Sequence, residues 1–312
     1  MNLQRNKKDF VRELTRKCFV NGIRIKNVQH LSKKNGRNAI VFQARTVGRS
    51  CVAAKKVVPV LTEVLRSGYY PDDSNRRIIN EEYHQYIFIQ EDRFKLLSGV
   101  ARMNKGKSHF NGDNFLISRL ECGKAIAAIA DGMGSGKRAY IESRMVIELM
   151  ENCIDAGFDE KASIDLINSA YIAGGGTGNP VTMDMSVIDC QSEYMHCMKL
   201  GAVSTFIRRD KWVEIIQSTT LPMGVLEQVD YDCTTKKLYD GDYIVMVSDG
   251  VLDNIPCVNK EERMAQMIHA LTIREPSAMA EKLLEQSLAY NDMKASDDCT
   301  VLVLGLFDTY EK

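Results

Sequence analysis

The sequence predicts an α+β protein: an antiparallel sandwich with its helices on the outside, preceded by a small α/β segment. Three observations predict it. From about residue 93 short apolar runs alternate with turn residues, helical patterns fall in pairs between those runs, and the first 92 residues change character too often to belong to the same layers. A chain of 312 residues accommodates one sandwich of roughly 200–250 residues plus an appendage. The boundary is accordingly placed at 1–92 for the small element and 93–312 for the sandwich.

The opening stretch mixes charged and apolar residues, and an apolar run follows at Asn38–Phe42. Val52–Leu65 reads as a helix with Val57, Val60, Leu61, Val64 and Leu65 on one face, stopped by Gly68 and Pro71. Strands are predicted at Phe94–Arg102, Phe115–Leu120, Lys124–Ala130, Met185–Asp189, His196–Ala202, Ser204–Arg208, Val213–Gln217, Tyr243–Val247 and Thr300–Phe307. Helices follow Gly136, Asp159, Asn259 and Pro276. In the first of these Met145, Val146, Leu149, Cys153 and Ile154 form the predicted core-facing stripe. Asn259 with Glu262 resembles a capping box, Pro276 suits a first helical position, and Trp212 with Ile215 and Ile216 reads as sandwich packing.

Lys plus Arg equals Asp plus Glu at 41 each, so the chain lacks the net field that draws proteins to nucleic acid or anionic lipid. Nine scattered cysteines with no C-x-x-C pair point to reduced thiols, not to disulfides or a zinc site. No stretch approaches the ~18 apolar residues of a bilayer span, so the expectation is a soluble, cytoplasmic chain.

Four acids stand at the ends of apolar strands beside small residues: Asp113 in NGDN, Asp131 in IADGMGSG, Asp249 in MVSDG and Asp297 in SDDCTVLVL. Each Asp-Gly alone is a common turn. Together, with no competing histidine or cysteine cluster, they point to oxygen ligands for hard divalent cations, because converging carboxylates repel one another until a cation neutralises them.

The stretch IADGMGSGKRAYIES, followed by TMDMSVID, KLGAVSTFIRR, LPMG, MVSDGV and SDDCTVLVL, resembles the phosphatase domain of the stage II sporulation protein E family, in the family's order over roughly residues 98–307. The resemblance implies a type 2C (PP2C) fold, two facing sheets flanked by helix pairs, with two Mn²⁺ or Mg²⁺ ions where the sheets open. It implies that Asp131 bridges both ions, that the Gly132 carbonyl binds one, that Asp249 and Asp297 complete the other's shell, and that Asp113 holds metal-bound water. Asp184 also matches a family aspartate. The implied reaction is attack of that water on a phosphoserine of an anti-anti-sigma factor that controls a sporulation sigma factor. The alternatives are a general stress-response phosphatase of the same fold and a catalytically silent phosphoprotein-binding module. In the resembling family a membrane region precedes the cytoplasmic part, so membrane attachment requires a region ahead of this chain. Residues 1–92 are then expected to regulate, with a homodimer forming through them.

Other groups have plainer readings. The glycine run Ala173–Gly178 lacks the lysine and Ser/Thr of a P-loop and reads as a flap. The five histidines are dispersed, with only His109 near Asp113 as a proton carrier. Arg102, Lys105 and Lys107 precede Asp113 and offer positive charge to a phosphorylated substrate or, equally, to solvent.

Overall fold

In a computed structural model, which describes residues 3–32, 38–106, 108–120, 123–173, 179–228 and 230–309, the chain divides into two units, Met1–Arg93 with Glu121–Gly123, and Phe94–Leu120 with Lys124–Lys312.

The first unit runs α1 (Leu3–Val20), β1 (Ile23–Ser32), β2 (Asn38–Thr46), β3 (Val52–Ala53), α2 (Val58–Leu65), β4 (Tyr69–Pro71), β5 (Ile78–Ile79) and β6 (His84–Gln90). A four-stranded antiparallel sheet in the order β1-β2-β6-β4 carries its core, where Phe42 stacks on Phe88 at 5.4 Å and Leu14, Cys18 and Leu61 are buried. The sequence reading gives Leu3–Val20 no element. Its Phe10, Leu14 and Cys18 do recur every four residues, but among too many charges to stand out. The predicted helix Val52–Leu65 is shorter than expected: Val52–Ala53 pairs with Ile78–Ile79, and a single 3₁₀ turn intervenes before α2. Pro59 is the reason, because a residue without an N–H is tolerated only in a helix's first turn. The predicted face survives, with Val57, Val60 and Leu61 buried and Val64 and Leu65 packed on the same core. Arg66 ends the helix in the left-handed region (φ 53°), its N–H donating to the Thr62 carbonyl at 2.8 Å.

In the second unit the elements are β7 (Phe94–Met103), β8 (Asp113–Arg119), β9 (Lys124–Gly132), α3 (Lys137–Asp155), α4 (Glu160–Ala173), β10 (Val181–Asp189), β11 (Tyr194–Leu200), β12 (Thr205–Arg208), β13 (Val213–Ile216), β14 (Asp232–Lys237), β15 (Tyr243–Val247), α5 (Asp249–Asp253), α6 (Lys260–Ala270), α7 (Pro276–Leu288) and β16 (Cys299–Asp308). Two five-stranded antiparallel sheets result, β14-β11-β10-β9-β8 and β13-β12-β15-β16-β7. The continuous apolar runs of β15 and β16 are explained by burial on both faces. Ile244, Met246, Leu302 and Leu304 turn into the core that also holds Ala127, Ile129 and Cys197 of the other sheet. Val245, Val247, Val301 and Val303 turn to Met264, Ile268, Met279 and Leu283 of α6 and α7. The helix α3 lies on β8 and β9, and α7 crosses β7 so closely that a Cβ on Gly99 would stand 2.2 Å from the Ser277 nitrogen. This is the type 2C architecture that the motifs imply.

Two expectations are corrected. The buried face of α3 is Ala139, Glu142, Ser143, Val146, Ile147 and Met150, a stripe rotated from the predicted one, and Met145 is exposed. The helix covers β8 and β9 with its small residues at its N-terminal end, so a pattern counted on large apolar residues alone misplaces the face. Trp212 is half exposed and stacked on the Arg209 guanidinium at 5.3 Å, whereas Ile216 is buried as expected. The predicted N-termini hold: Asn259 accepts from the Glu262 N–H, and Pro276 follows Glu275, whose carboxylate accepts from the N–H groups of Ser277 and Ala278. Strand Asp232–Lys237 and the single turn of helix at Asp249 were absent from the sequence reading, the former because it lacks an apolar run. The predicted flap at Ala173–Gly178 has residues 174–178 outside the described residues. No helix among the described residues is long and apolar enough to cross a membrane.

Candidate metal centre

Antiparallel pairing brings the four predicted acids together two at a time. Asp113 opens β8 directly opposite Asp131 near the end of β9, since one strand's start lies against its neighbour's finish. In the other sheet Val247 at the end of β15 pairs with Val301 in β16, which sets Asp249 beside the segment carrying Asp297 and Asp298. Each sheet thus delivers one pair of acids to the same end of the sandwich.

The electrostatics show that the two pairs meet. Burial, then the neighbouring Asp113 and Asp249 carboxylates and more weakly Asp297, push the Asp131 carboxyl up to about 9. Burial raises Asp113 to about 7, with Asp249 and Asp298 adding to the rise. Asp249 is raised by burial and by Asp253 and Asp297, against the lowering effect of the Gly250 N–H. Three carboxyls pushed up by burial and by neighbouring carboxylates mark a site lacking positive charge.

Asp113 supplies the test of whether cations fit. Its side chain is 1% exposed and neither carboxylate oxygen has a hydrogen-bond partner. The Ser248 and Thr300 hydroxyls lie near enough to lower its proton affinity but do not close to bonding geometry, and the Thr300 hydroxyl is itself buried and unpartnered. A buried acceptor left without a partner calls for an explanation such as a bound ion or an ordered water. Among the described residues no three His, Cys, Asp or Glu side chains already stand in coordinating geometry. The fit therefore rests on the orphaned Asp113 oxygens and the uncompensated charge, to which all-oxygen donors for Mg²⁺ or Mn²⁺ correspond.

The glycines beside these acids are there for close packing. Asp131 and Gly132 stay within β9, opposite Thr182 and Val181, so no turn occurs there. A Cβ on Gly132 would lie 2.4 Å from the Ala139 carbonyl oxygen, and one on Gly250 2.2 Å from that of Asp298. The first contact lets the start of α3 sit directly on the Asp131 segment. The second draws the Asp249 and Asp297 segments together. The A-x-x-E-S motif is explained by the same junction: Ala139 meets Gly132, Glu142 pairs with Arg138 at 3.3 Å, and the Ser143 hydroxyl donates to the Gly112 carbonyl while accepting from Asn114 Nδ2 at 2.8 Å.

The adjacent Asp297 and Asp298 have different surroundings. Asp298 is 3% exposed and spends both oxygens on backbone, Oδ1 accepting from Lys105 N at 2.8 Å and Oδ2 from Gly112 N at 2.7 Å. Asp297 is half exposed, raises both Asp131 and Asp249, and has Lys105 Nζ 3.4 Å from its Oδ1. These surroundings favour Asp297 as the ligand. Asp297→Ala is expected to weaken manganese affinity by about tenfold or more, Asp298→Ala by less, since a charge-assisted ligand contact contributes about 1.5–3 kcal/mol. Manganese titration followed by calorimetry decides it, and a larger loss for Asp298→Ala reverses the assignment.

Asp184 is committed to a buried lysine. It is 2% exposed and forms an ion pair at 2.6 Å with Lys199, itself 1% exposed. Lys199 Nζ also donates to the Val203 carbonyl at 2.6 Å, and the Thr205 hydroxyl donates to the Asp184 carboxylate. Asp131, Asp184, Asp249 and Ser248, with the segment Gly201–Val203, border a cavity of about 70 Å³. Lys199 escaped the sequence reading because its strand position looks like any surface lysine; its place in KLGAVSTFIRR was the available signal. His109 is exposed.

The profile of the family described as stage II sporulation protein E (SpoIIE) matches residues 122–307. The protein of that name from Bacillus subtilis (strain 168) is 29% identical over 286 residues, 91% of this chain and 34% of that protein. Its namesake from Priestia megaterium is 30% identical over 253 residues, 81% of this chain and 43% of that protein. The chain thus spans about a third to two-fifths of the length of these relatives. Among solved structures, the PP2C phosphatase domain with a fragment of the regulatory domain of SpoIIE from Bacillus subtilis aligns with a TM-score of 0.74 at 26% identity, covering 98% of this chain and 93% of that one.

Proposed function

Because this chain belongs to the stage II sporulation protein E family, we propose that it is a metal-dependent serine/threonine phosphoprotein phosphatase whose site is the junction of Asp113, Asp131, Gly132, Asp249 and Asp297. The observation that carries the proposal is the convergence of these acids from two sheets with the buried Asp113 oxygens left unpartnered.

Asp131, neighbour to acids of both pairs, would be the ligand shared by two cations. The Gly132 carbonyl and the carboxylates of Asp249 and Asp297 would supply further ligands. Two Mn²⁺ or Mg²⁺ ions there would neutralise the phosphoryl oxygens and lower the pKa of water from 15.7 toward about 7. Asp113, buried and with both carboxylate oxygens free, would hold the water that attacks the phosphoryl group. No protein nucleophile is needed: Cys197 and Cys299, both buried, are pushed up to about 12 by that burial and are poor thiolates. A silent binding module would have no use for carboxylates that raise one another's pKa values. The proposed substrate is a phosphoserine on an anti-anti-sigma factor, a reading supported by family membership.

Hydrolysis of an aryl phosphate and of a phosphoserine protein is expected to need added manganese or magnesium and to stop in excess chelator. Undiminished turnover in chelator removes the two-metal reading. Residues 1–92 are proposed as a regulatory element. The same titration on residues 93–312 alone is expected to shift the manganese requirement or turnover several-fold, and identical behaviour would make the first unit a tether.

A further inference from the structure

We infer that Lys105 is the side chain that grips the substrate's phosphoryl oxygens, and that Asp298 is a positioning residue that keeps it at the rim of the site; this rests on the phosphatase reading above. The turn between β7 and β8 is tied internally. Asn104 Nδ2 donates to the Ser108 carbonyl at 2.9 Å, Asn111 Nδ2 to Asn104 Oδ1 at 2.9 Å, and the Ser108 hydroxyl to the Phe110 carbonyl at 2.7 Å. Asp298 then clasps the turn at both ends through the N–H groups of Lys105 and Gly112. The main chain of Lys105 is therefore fixed beside Asp297, the next residue in sequence to the clasp.

The Lys105 side chain is under no such constraint. Its ammonium meets Asp297 at 3.4 Å with both side chains nearly half exposed, a pairing of the kind that adds little to stability. An ammonium carries three donors, so this contact leaves others to spare. Once a cation takes up the charge of Asp297, the ammonium stands beside the position where the phosphoryl group must arrive. A phosphoserine side chain brings a charge of about −1.5 to −2, and lysine suits it as a point charge that needs no fixed approach angle. The neighbouring cation is already engaged: Arg102 donates to the Asp113 backbone carbonyl and lies over the Phe115 ring at 5.5 Å. Lys107 is outside the described residues.

The rival reading makes Lys105 only a counter-ion for Asp297. It predicts a changed manganese requirement and nothing more. The test uses the full chain and inorganic phosphate as the probe, with Lys105→Gln, Lys105→Arg and Asp298→Ala beside the unaltered protein. At saturating manganese, Lys105→Gln is expected to raise the inhibition constant for inorganic phosphate and the KM for an aryl phosphate by about ten- to a hundredfold, as for loss of one charged hydrogen bond. Its half-saturating manganese concentration should stay within about twofold, because no ligand is removed. Lys105→Arg is expected to recover most of the loss, and Asp298→Ala to show the same phosphate weakening. Phosphate binding by calorimetry, on protein shown by circular dichroism to be folded, gives a readout independent of turnover. Unchanged phosphate inhibition in Lys105→Gln overturns the inference, as does a shift confined to the manganese midpoint. An unaltered protein that neither hydrolyses the ester nor binds phosphate with manganese present overturns the phosphatase reading as well.

Discussion

Asp131→Asn is expected to lower kcat by about 10³-fold or more while the metal-free protein melts no lower than the unaltered one. Both halves follow from the same electrostatics. The carboxyl is placed between Asp113, Asp249 and Asp297, each of which opposes its ionisation, so in the absence of cations it must take up a proton to fold near neutral pH, at a cost to stability. Asparagine keeps the shape and the position in β9 while removing that cost. With cations present the balance reverses, because a neutral amide cannot bridge two dications. Removing one preorganised electrostatic group commonly costs about 10²–10³ in rate, and a shared ligand lies at the upper end. Steady-state kinetics in manganese, paired with thermal melts in chelator, check the two halves separately. A variant that keeps most of its rate takes the bridging role away from Asp131. One that melts well below the unaltered protein in chelator shows that the carboxylate is structural.

The second large effect concerns stability. Lys199→Met leaves the Asp184 carboxylate buried with its cation gone, and breaking a buried ion pair from one side costs about 3–5 kcal/mol. For a domain of this size that corresponds to a fall in melting temperature of roughly 6–20 °C. Adding Asp184→Leu to Lys199→Met should restore much of the loss, since two apolar side chains of similar volume no longer leave a charge behind. The double variant is nonetheless expected to be a poorer enzyme. Lys199 also holds the Val203 carbonyl, and Gly201–Val203 borders the cavity shared with Asp131 and Asp249. Thermal melts of the two single variants and the double variant form the cycle that measures the pair. Equal stability in all four proteins would mean that the ion pair contributes no net energy and that its partners rearrange.

Much of this protein is legible in its sequence because one physical signal dominates there. Tyr243–Val247 and Thr300–Phe307 read as strands since a run buried on both faces must be apolar throughout, and the structure extends the second by one residue at each end. The acids announce themselves by interrupting such runs at Asp131 and Asp249, and the motif order identifies the family. Signals that depend on a partner element are weaker. The face of α3 is set by Gly112, just ahead of β8, and Gly132 of β9, onto which Ser143 and Ala139 fit, so its small residues count for more than its large ones. Asp297 and Asp298 are chemically identical in the sequence. In the sequence only the family resemblance favours Asp297; their surroundings differ once the turn between β7 and β8 claims the Asp298 carboxylate with two N–H groups. Likewise Lys199 and Lys105 are both lysines near strand ends. One is sealed in with Asp184 and the other reaches solvent beside Asp297, because burial and the nearest opposite charge are fixed by strands far apart in the chain. The sequence by itself determined which residue types could bind cations and which strands carry them. The tertiary structure decided which carboxylates remain unsatisfied, because hydrogen-bond satisfaction depends on what the fold brings within about 3 Å.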